Sequence, residues 1–212
     1  MPPLSISNTH TLPLILASSS PYRRELLQKL TLPFACHAPN IDESAIAGES
    51  PNQLVERLAL EKALAVAIEY PEALIIASDQ VAVLGDEIMT KPHTHENATH
   101  QLSRSSGNTV TFLTSLCLLN SKTGQHQVTI VPYSVEFLPL TQEKISAYLL
   151  KEQPYQCAGS FKSEGLGITL FKRFEGDDPN SLIGLPLIAL TEMLRKEGVE
   201  PLIERQPSRS TI

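Results

Sequence analysis

Two long strand patterns near the middle of the chain constrain the fold more than any other feature. Residues 109–120 and 126–138 are rich in β-branched and apolar residues, and residues 121–124 between them (Ser-Lys-Thr-Gly) are typical of a turn. These two strands therefore form an antiparallel hairpin. Elsewhere strand and helix patterns interleave, which is typical of α/β proteins. The sequence predicts an α/β fold with a mixed sheet.

Length and charge limit the class of protein further. The 212 residues suffice for one α/β domain or two small lobes, and a net charge of −6 argues against binding a nucleic acid polymer. Three scattered cysteines indicate free thiols in a reducing cytosol, and no apolar run approaches a membrane span. We expect a cytoplasmic protein without membrane contact. We also expect a frayed extension (1–12), a single domain (13–202) and a flexible tail (203–212).

Other local patterns place the remaining elements. Gly85-Asp86 predicts a tight turn inside a hairpin over residues 81–89, and the box formed by Ser50 and Gln53 predicts a helix running to about residue 69. Further helices are predicted over residues 96–106, after Thr141 up to residue 152, and from residue 186 to 198. Residues 156–171 are expected to be strand and loop, and residues 176–180 a turn.

The segment 14–30 begins as a buried strand and continues as an amphipathic helix. Ser20 is a good N-cap and Pro21 suits the first helical position. Arg23 and Arg24 then fall in the first turn, where the helix dipole disfavours cations by roughly 0.3–1 kcal/mol each. An anion bound at this terminus would reverse that cost. A phosphate site is one interpretation, and surface pairing of both arginines with carboxylates is the other.

Two further charged residues occupy unusual positions. Asp79 follows the apolar run 74–78, which predicts a carboxylate at the carboxyl end of a buried strand, where α/β sheets bind ligands. A loop-capping aspartate is the alternative. Lys62 falls in an apolar sector of the helix that begins at Pro51, so it needs an anionic partner unless its head extends into water. Lys91 and the pair Asp42-Glu43 are ambiguous from the residues alone.

Taken together, these pieces resemble one family, the Maf nucleotide pyrophosphatases. The similarity covers residues 13–202. Its motifs occur in the family's order, namely SSSPYRR (18–24), DE (42–43), ERLALEKA (56–63), SDQ (78–80), KP (91–92), SG (106–107), AGSF (158–161) and GLP (184–186).

The resemblance implies an elongated two-lobed fold, like that of inosine triphosphatases, with a twisted mixed sheet flanked by helices and a deep central cleft. It also implies a homodimer that hydrolyses a nucleoside triphosphate to the monophosphate and pyrophosphate with a divalent metal, Mg²⁺ or Mn²⁺. The roles it implies are phosphate binding by Ser18, Ser20, Arg23 and Arg24; metal binding by Glu43 and Asp79, with Asp79 as proton acceptor; and charge neutralisation by Lys62 and Lys91.

Residues that vary within the family indicate the substrate. Tyr22, Gln80 and Glu164 resemble the branch that acts on 7-methyl-GTP, whereas Thr90 departs from the glycine that usually precedes the Lys-Pro pair. An aromatic face such as Tyr22 attracts a cationic 7-methylguanine ring by roughly 0.5–2 kcal/mol. Glu164 is suited to accept hydrogen bonds from guanine and to favour the cationic ring.

Three alternatives remain open at this point. Tyr22 could simply pack on the face of its helix, and Glu164 could be an ordinary surface acid. The substrate could be unmodified dTTP or UTP, as in the other branch of the family. The chain could also be a non-catalytic nucleotide-binding regulator of cell division, although the presence of Glu43, Lys62, Asp79 and Lys91 argues for catalysis.

Overall fold

A computed structural model describes residues 12–203, which form one seven-stranded mixed sheet flanked by helices. The strands are β1 (Leu14–Leu16), β2 (Phe34–Cys36), β3 (Leu74–Leu84), β4 (Glu87–Met89), β5 (Thr109–Asn120), β6 (His126–Phe137) and β7 (Phe171–Glu175). Their order is β2-β1-β3-β5-β6-β7, and β4 pairs with β3. Strand β1 runs parallel to β2 and β3, and the other pairings are antiparallel. The predicted mixed α/β sheet is confirmed.

Helix boundaries follow the capping residues that the sequence indicated. The helices are α1 (Pro21–Gln28), α2 (Pro51–Ala67), α3 (His95–Ser105), α4 (Gln142–Glu152), α5 (Pro179–Ile183) and α6 (Leu187–Lys196). The Ser20 side chain accepts a hydrogen bond from a backbone N–H of the first turn of α1, and Thr141 does the same for α4. Ser50 and Gln53 form the expected reciprocal box at the start of α2. These local predictions are confirmed.

Strand β3 is longer than predicted, and this moves Asp79. We expected the strand to end at residue 78, but it continues to Leu84 and pairs with β5 along this length. Asp79 therefore lies in the middle of a strand and not at its carboxyl end. In the sequence, the polar residues 78–80 favour the end of a strand, because polar side chains seldom occupy a central strand. In the structure, hydrogen bonds to neighbouring elements satisfy these polar side chains within the central strand.

Side chains of β3 alternate between two differently covered faces of the sheet. Ile75 and Ala77 pack with residues of α2, whereas Leu74 and Ile76 pack with residues of α1 and α6. Because the period of a strand is two, Asp79 faces α2, and Ser78 and Gln80 face the opposite side. This alternation determines which elements meet at each of the three polar residues.

The buried core is divided at the same level of the sheet. One cluster joins Phe137 and Tyr148 with the part of β3 beyond Gln80. Two further clusters join the first part of β3 with α1, α2 and α6, and a smaller one joins Val81 with the start of α2. Between them lies a polar band, defined here as residues 78–80 of β3 with Thr114 and Ser115 of β5. Polar side chains thus interrupt the apolar core in the middle of the longest strands.

Two segments differ from their predictions. Residues 156–171 contain two short 3₁₀ helices, 158–160 and 166–170, with β7 beginning only at Phe171. The predicted turn 176–180 includes the start of α5, capped by Asp178. At the chain ends, the predicted extension and tail lie outside the described residues, apart from Leu12, which packs against the core, and Ile203.

Candidate active site

A buried lysine joins two carboxylates on the α2 face of the sheet. The Lys62 ammonium lies 2.6 Å from Asp79 Oδ1 and 3.1 Å from Glu43 Oε2. Lys62 and Asp79 are 4% and 7% exposed, whereas the Glu43 side chain is 58% exposed. The lysine therefore compensates a buried negative charge, which would otherwise be costly. This contact explains why a lysine lies in the apolar sector of α2.

The backbone of Asp79 is held in place by Ser115. The Ser115 hydroxyl donates to the Val55 carbonyl of α2 at 2.6 Å and accepts from the Asp79 backbone N–H at 3.1 Å. Ser115 is fully buried. This contact connects β5, β3 and α2 at the position where the carboxylate emerges. Because three elements meet there, Asp79 has little freedom to move relative to Lys62.

Arg57 anchors the loop that carries Glu43. Its guanidinium donates to both Glu49 carboxylate oxygens, at 2.7 and 2.8 Å, and to the Ser44 carbonyl at 3.0 Å. Hydrogen bonding to Arg57 lowers the pKa of Glu49 from its usual 4.5 to about 2. The pKa of Arg57 is raised by the same contact. The residue next to Glu43 is therefore tied to α2, the helix that also carries Lys62.

The four predicted phosphate ligands divide into two groups. Ser18, Ser20 and Arg24 line a cavity of about 530 Å³ beside the N-terminus of α1. Arg23 instead donates from Nε to the Gly184 carbonyl at 2.8 Å. Burial lowers its pKa, while the charges of Asp79 and Glu43 act in the opposite direction. Arg23 therefore connects the start of α1 to the carboxylate pair.

The Gly184 carbonyl is itself held in place by buried polar contacts. It also accepts a hydrogen bond from the Ser78 hydroxyl at 2.9 Å, and Ser78 is fully buried. Asp178, which is 1% exposed, accepts from the backbone N–H groups of Asn180 and Ile188 at 2.9 and 2.8 Å. One carboxylate thus caps the starts of α5 and α6, on either side of Gly184. The acceptor for Arg23 is rigid for this reason.

The predicted base-recognition residues lie in a second group. Burial raises the pKa of Tyr22, and the neighbouring Cys157 and Glu164 reinforce this, whereas Lys162 opposes it. Burial also raises the pKa of the Cys157 thiol, and the charge of Lys91 acts in the opposite direction. The charge of Glu164 thus acts on the Tyr22 hydroxyl, and their joint role in one substrate pocket stays a prediction. Lys91 belongs to this group, and within residues 12–203 no ion pair joins it to Asp79.

Gln80 and Thr90 have positions that the sequence did not indicate. The Gln80 amide nitrogen contacts Thr114 Oγ1 at 2.8 Å and two carbonyls of α5, those of Ser181 and Leu182, at 2.8 and 3.1 Å. It thus fastens α5 to the sheet. Thr90 is not among the described non-glycine residues with positive φ. The glycine expected before Lys91 is therefore not required for backbone conformation here.

The carboxylates suit a hard divalent cation that also binds phosphate. Glu43 and Asp79 both contact the Lys62 ammonium, which brings two carboxylates to the same part of the site. Within residues 12–203, no group of three or more His, Cys, Asp or Glu side chains is arranged around a common metal position. Mg²⁺ is commonly held by one or two carboxylates with substrate phosphates completing its shell. The donor set fits that pattern.

Comparison with known proteins identifies the family of the chain. The family model described as "Maf-like protein" matches residues 13–197. The chain belongs to the Maf-like family. The family resemblance drawn from the sequence motifs is thereby confirmed.

Curated relatives are similar to the chain over nearly their whole length. A protein of Pseudomonas savastanoi pv. phaseolicola named 7-methyl-GTP pyrophosphatase is 62% identical over 186 residues, which is 88% of this chain and 97% of the relative. Another of that name from Pseudomonas fluorescens is 60% identical over 189 residues, 89% and 98% of the two chains. A third, from Colwellia psychrerythraea, is 55% identical over 192 residues, 91% and 96%.

Several residues that shape the site of this Maf-like protein were not predicted. Ser115 had a usable signal, because Thr114 and Ser115 stand between the apolar residues 112–113 and 116–119. The contact of Arg57 with Ser44 and that of Asp178 with Ile188 had none, since only the fold brings these segments together. In the described part of the chain, every helix is too short or too polar to cross a bilayer.

Proposed function

We propose that this Maf-like protein hydrolyses 7-methyl-GTP to 7-methyl-GMP and pyrophosphate and so removes modified nucleotides. The observation that carries the proposal is the Lys62 ammonium between Glu43 and Asp79, with Arg23 beside them. This arrangement combines a proton acceptor with cations for a polyphosphate. Relatives at 55–62% identity carry the name of this activity. We assign the catalytic domain to residues 13–202.

In the proposed reaction, Asp79 accepts the proton of the attacking water. The water oxygen forms a bond to the α-phosphorus, and the bond from that phosphorus to the bridging oxygen of the β-phosphate breaks, so pyrophosphate leaves. Lys62 orients the Asp79 carboxylate before the reaction, through the 2.6 Å contact. A divalent cation bound by Glu43 and Asp79, Mg²⁺ or Mn²⁺, would neutralise phosphate charge and acidify the water.

Phosphate binding is assigned to the N-terminus of α1. Ser18, Ser20 and Arg24 line the cavity at this helix terminus, where free backbone N–H groups favour an anion. Arg23 uses Nε for the Gly184 carbonyl, and its two terminal nitrogen atoms donate to none of the described residues. They are suited to a phosphate oxygen near Asp79. We assign Lys91 to charge neutralisation from the other side.

Selection of the base is assigned to Tyr22 and Glu164. The ring of Tyr22 offers a face to the cationic 7-methylguanine, and Glu164 supplies a negative charge that neutral guanine does not need. Lys162 is close to both. Gln80 contributes indirectly in this proposal, since its amide holds α5 and so the Gly184 carbonyl that orients Arg23.

Assembly and location are further parts of the proposal. We assign the chain to the cytoplasm, acting on small nucleotides and not on nucleic acid polymers. We also propose a homodimer, supported by exposed apolar residues beside and on α2, namely Ile46, Leu64 and Ile68, which are 59%, 49% and 84% exposed. Sedimentation of the unaltered protein and of Ile68→Glu tests this: a dimer that the variant dissociates supports it, and a monomeric unaltered protein refutes it.

The deciding experiment measures pyrophosphate release from 7-methyl-GTP, GTP, dTTP and UTP, with Mg²⁺ or Mn²⁺. We expect preference for 7-methyl-GTP, and loss of turnover without loss of nucleotide binding in Asp79→Asn. Glu175→Gln, an exposed acid, is the matched control. Preference for dTTP or UTP would keep the catalytic assignment but refute the substrate. Binding of nucleotide without release from any of the four would instead indicate a regulator.

A further inference from the structure

The last turn of α4 holds the loop that carries Glu164. Tyr148 and Glu152 are four residues apart and so lie on the same helical face. The Tyr148 hydroxyl accepts a hydrogen bond from the Lys162 backbone N–H at 3.1 Å. Glu152 Oε2 accepts from the Leu166 backbone N–H at 2.9 Å. Glu164 is thus the middle residue of a five-residue segment, residues 162–166, whose two ends are both fixed to one helix.

The segment 162–166 is folded too tightly to rearrange freely. A Cβ at Gly167 would lie 2.2 Å from the Lys162 carbonyl oxygen, and one at Gly165 would lie 3.0 Å from a Glu152 carboxylate oxygen. Gly167 therefore needs the absence of a side chain, because the atom that a Cβ would meet belongs to the backbone. The close approach at Gly165 also shows that Glu152 packs directly against the residue that follows Glu164.

Glu152 also controls where the Lys162 charge lies. Its Oε1 is 3.4 Å from the Lys162 ammonium, and the Glu152 side chain is only 19% exposed. Lys162 is two residues from Glu164, and both charges act on Tyr22. Burial lowers the pKa of Lys162, but its neighbours Tyr22 and Glu152 outweigh this and raise it. Without the Glu152 charge, the nearest anion left for this cation in the segment is Glu164.

The position of Glu152 in its helix is unfavourable by itself. It is the last residue of α4, where the negative end of the helix dipole repels a carboxylate. Its contacts with Lys162 and the Leu166 N–H compensate for this. A carboxylate that is disfavoured locally but doubly engaged by one loop indicates a role towards that loop.

We propose that Glu152 is a specificity-determining positioning residue. It holds Lys162 away from Glu164, so that the Glu164 carboxylate keeps its full charge for the cationic ring of 7-methyl-GTP. This inference rests on the proposed function. It adds that selectivity depends on a charge balance between Glu152, Lys162 and Glu164, and not on Glu164 alone.

Glu152→Gln separates charge from anchoring, because the amide oxygen can still accept from the Leu166 N–H. We expect this variant to lower the ratio of kcat/KM for 7-methyl-GTP over GTP by roughly fivefold, mainly through KM for 7-methyl-GTP. Adding Lys162→Met should restore the ratio, since the competing cation is then gone. Glu143→Gln, at the opposite end of the same helix, is the matched control and should leave the ratio unchanged.

The outcomes distinguish this inference from the proposed function. An unchanged ratio in Glu152→Gln, or a lowered ratio that Lys162→Met does not restore, would overturn the role of Glu152 while leaving the activity intact. Absence of 7-methyl-GTP hydrolysis by the unaltered protein would overturn the proposed function and this inference with it. Thermal unfolding of each variant identifies a loss of folding. If Glu152→Gln does not fold, Lys162→Met alone decides: an unchanged or higher ratio supports the inference and a lower ratio overturns it.

Discussion

Replacing Lys62 by methionine removes the cation that pairs with buried Asp79. Breaking a buried ion pair from one side typically costs about 3–5 kcal/mol, because the remaining charge stays out of water. Glu43 is 58% exposed, so losing its contact adds no more than about 1 kcal/mol. Asp79 is 7% exposed, which places the expected loss near the lower end, at about 3 kcal/mol. For a chain of this length, that is a fall in Tm of about 6–12 °C.

A double-mutant cycle identifies the cause of this loss. In Lys62→Met combined with Asp79→Asn, both members of the buried pair are neutral, so the double variant should be more stable than the sum of the single losses predicts by about 1.5 kcal/mol or more. Urea unfolding measures the four free energies. Lys144→Met, an exposed lysine, is the control and should change stability by less than about 0.5 kcal/mol. Additive losses, or a Lys62→Met variant as stable as the control, would refute the reasoning.

Three other changes test the surroundings of the site. Ser115→Ala removes the hydroxyl that accepts from the Asp79 N–H and donates to the Val55 carbonyl, and should cost about 1–3 kcal/mol in urea unfolding; an unaltered midpoint would contradict this. Asp178→Ala uncaps two helices and should lower stability by about 2–4 kcal/mol and also weaken nucleotide binding in calorimetry; unchanged affinity would separate Asp178 from the site. Glu49→Gln tests pH. The native pKa is lowered from 4.5 to about 2, so the carboxylate stabilises the fold above pH 4.5, and this is lost as pH falls towards 2. The variant should be less stable at pH 7, and the difference should vanish near pH 2; a constant difference would refute it.

Local signals in the sequence predicted the elements well, because capping and turn formation involve residues close along the chain. Ser20, Ser50 and Thr141 each bond within the turn that they start, so their patterns are sufficient. Gly85 has a φ of +61° in a two-residue hairpin connection, which the Gly-Asp pair indicated. These interactions form in much the same way whatever the rest of the chain does.

Contacts between distant segments could not be predicted in the same way. Arg57 contacts residues eight and thirteen positions away, and Gln80 contacts α5 about a hundred positions away. Nothing in the local pattern of either residue specifies these partners. The misplacement of Asp79 at a strand end has the same origin, since its partner Ser115 becomes apparent only when β3 and β5 are paired.

The polar band also explains why the site residues depend on strand register. Pairing of β3 with β5 runs residue by residue from Leu74↔Asn120 to Val83↔Thr111. The apolar clusters on either side of the polar band therefore fix the register of Asp79. A shift of one residue would turn Asp79 towards α5 and away from Lys62, because side chains alternate between faces. It would also bring the apolar residues of β3 to the wrong helices. The packing that stabilises the sheet therefore also determines that the carboxylate faces its lysine.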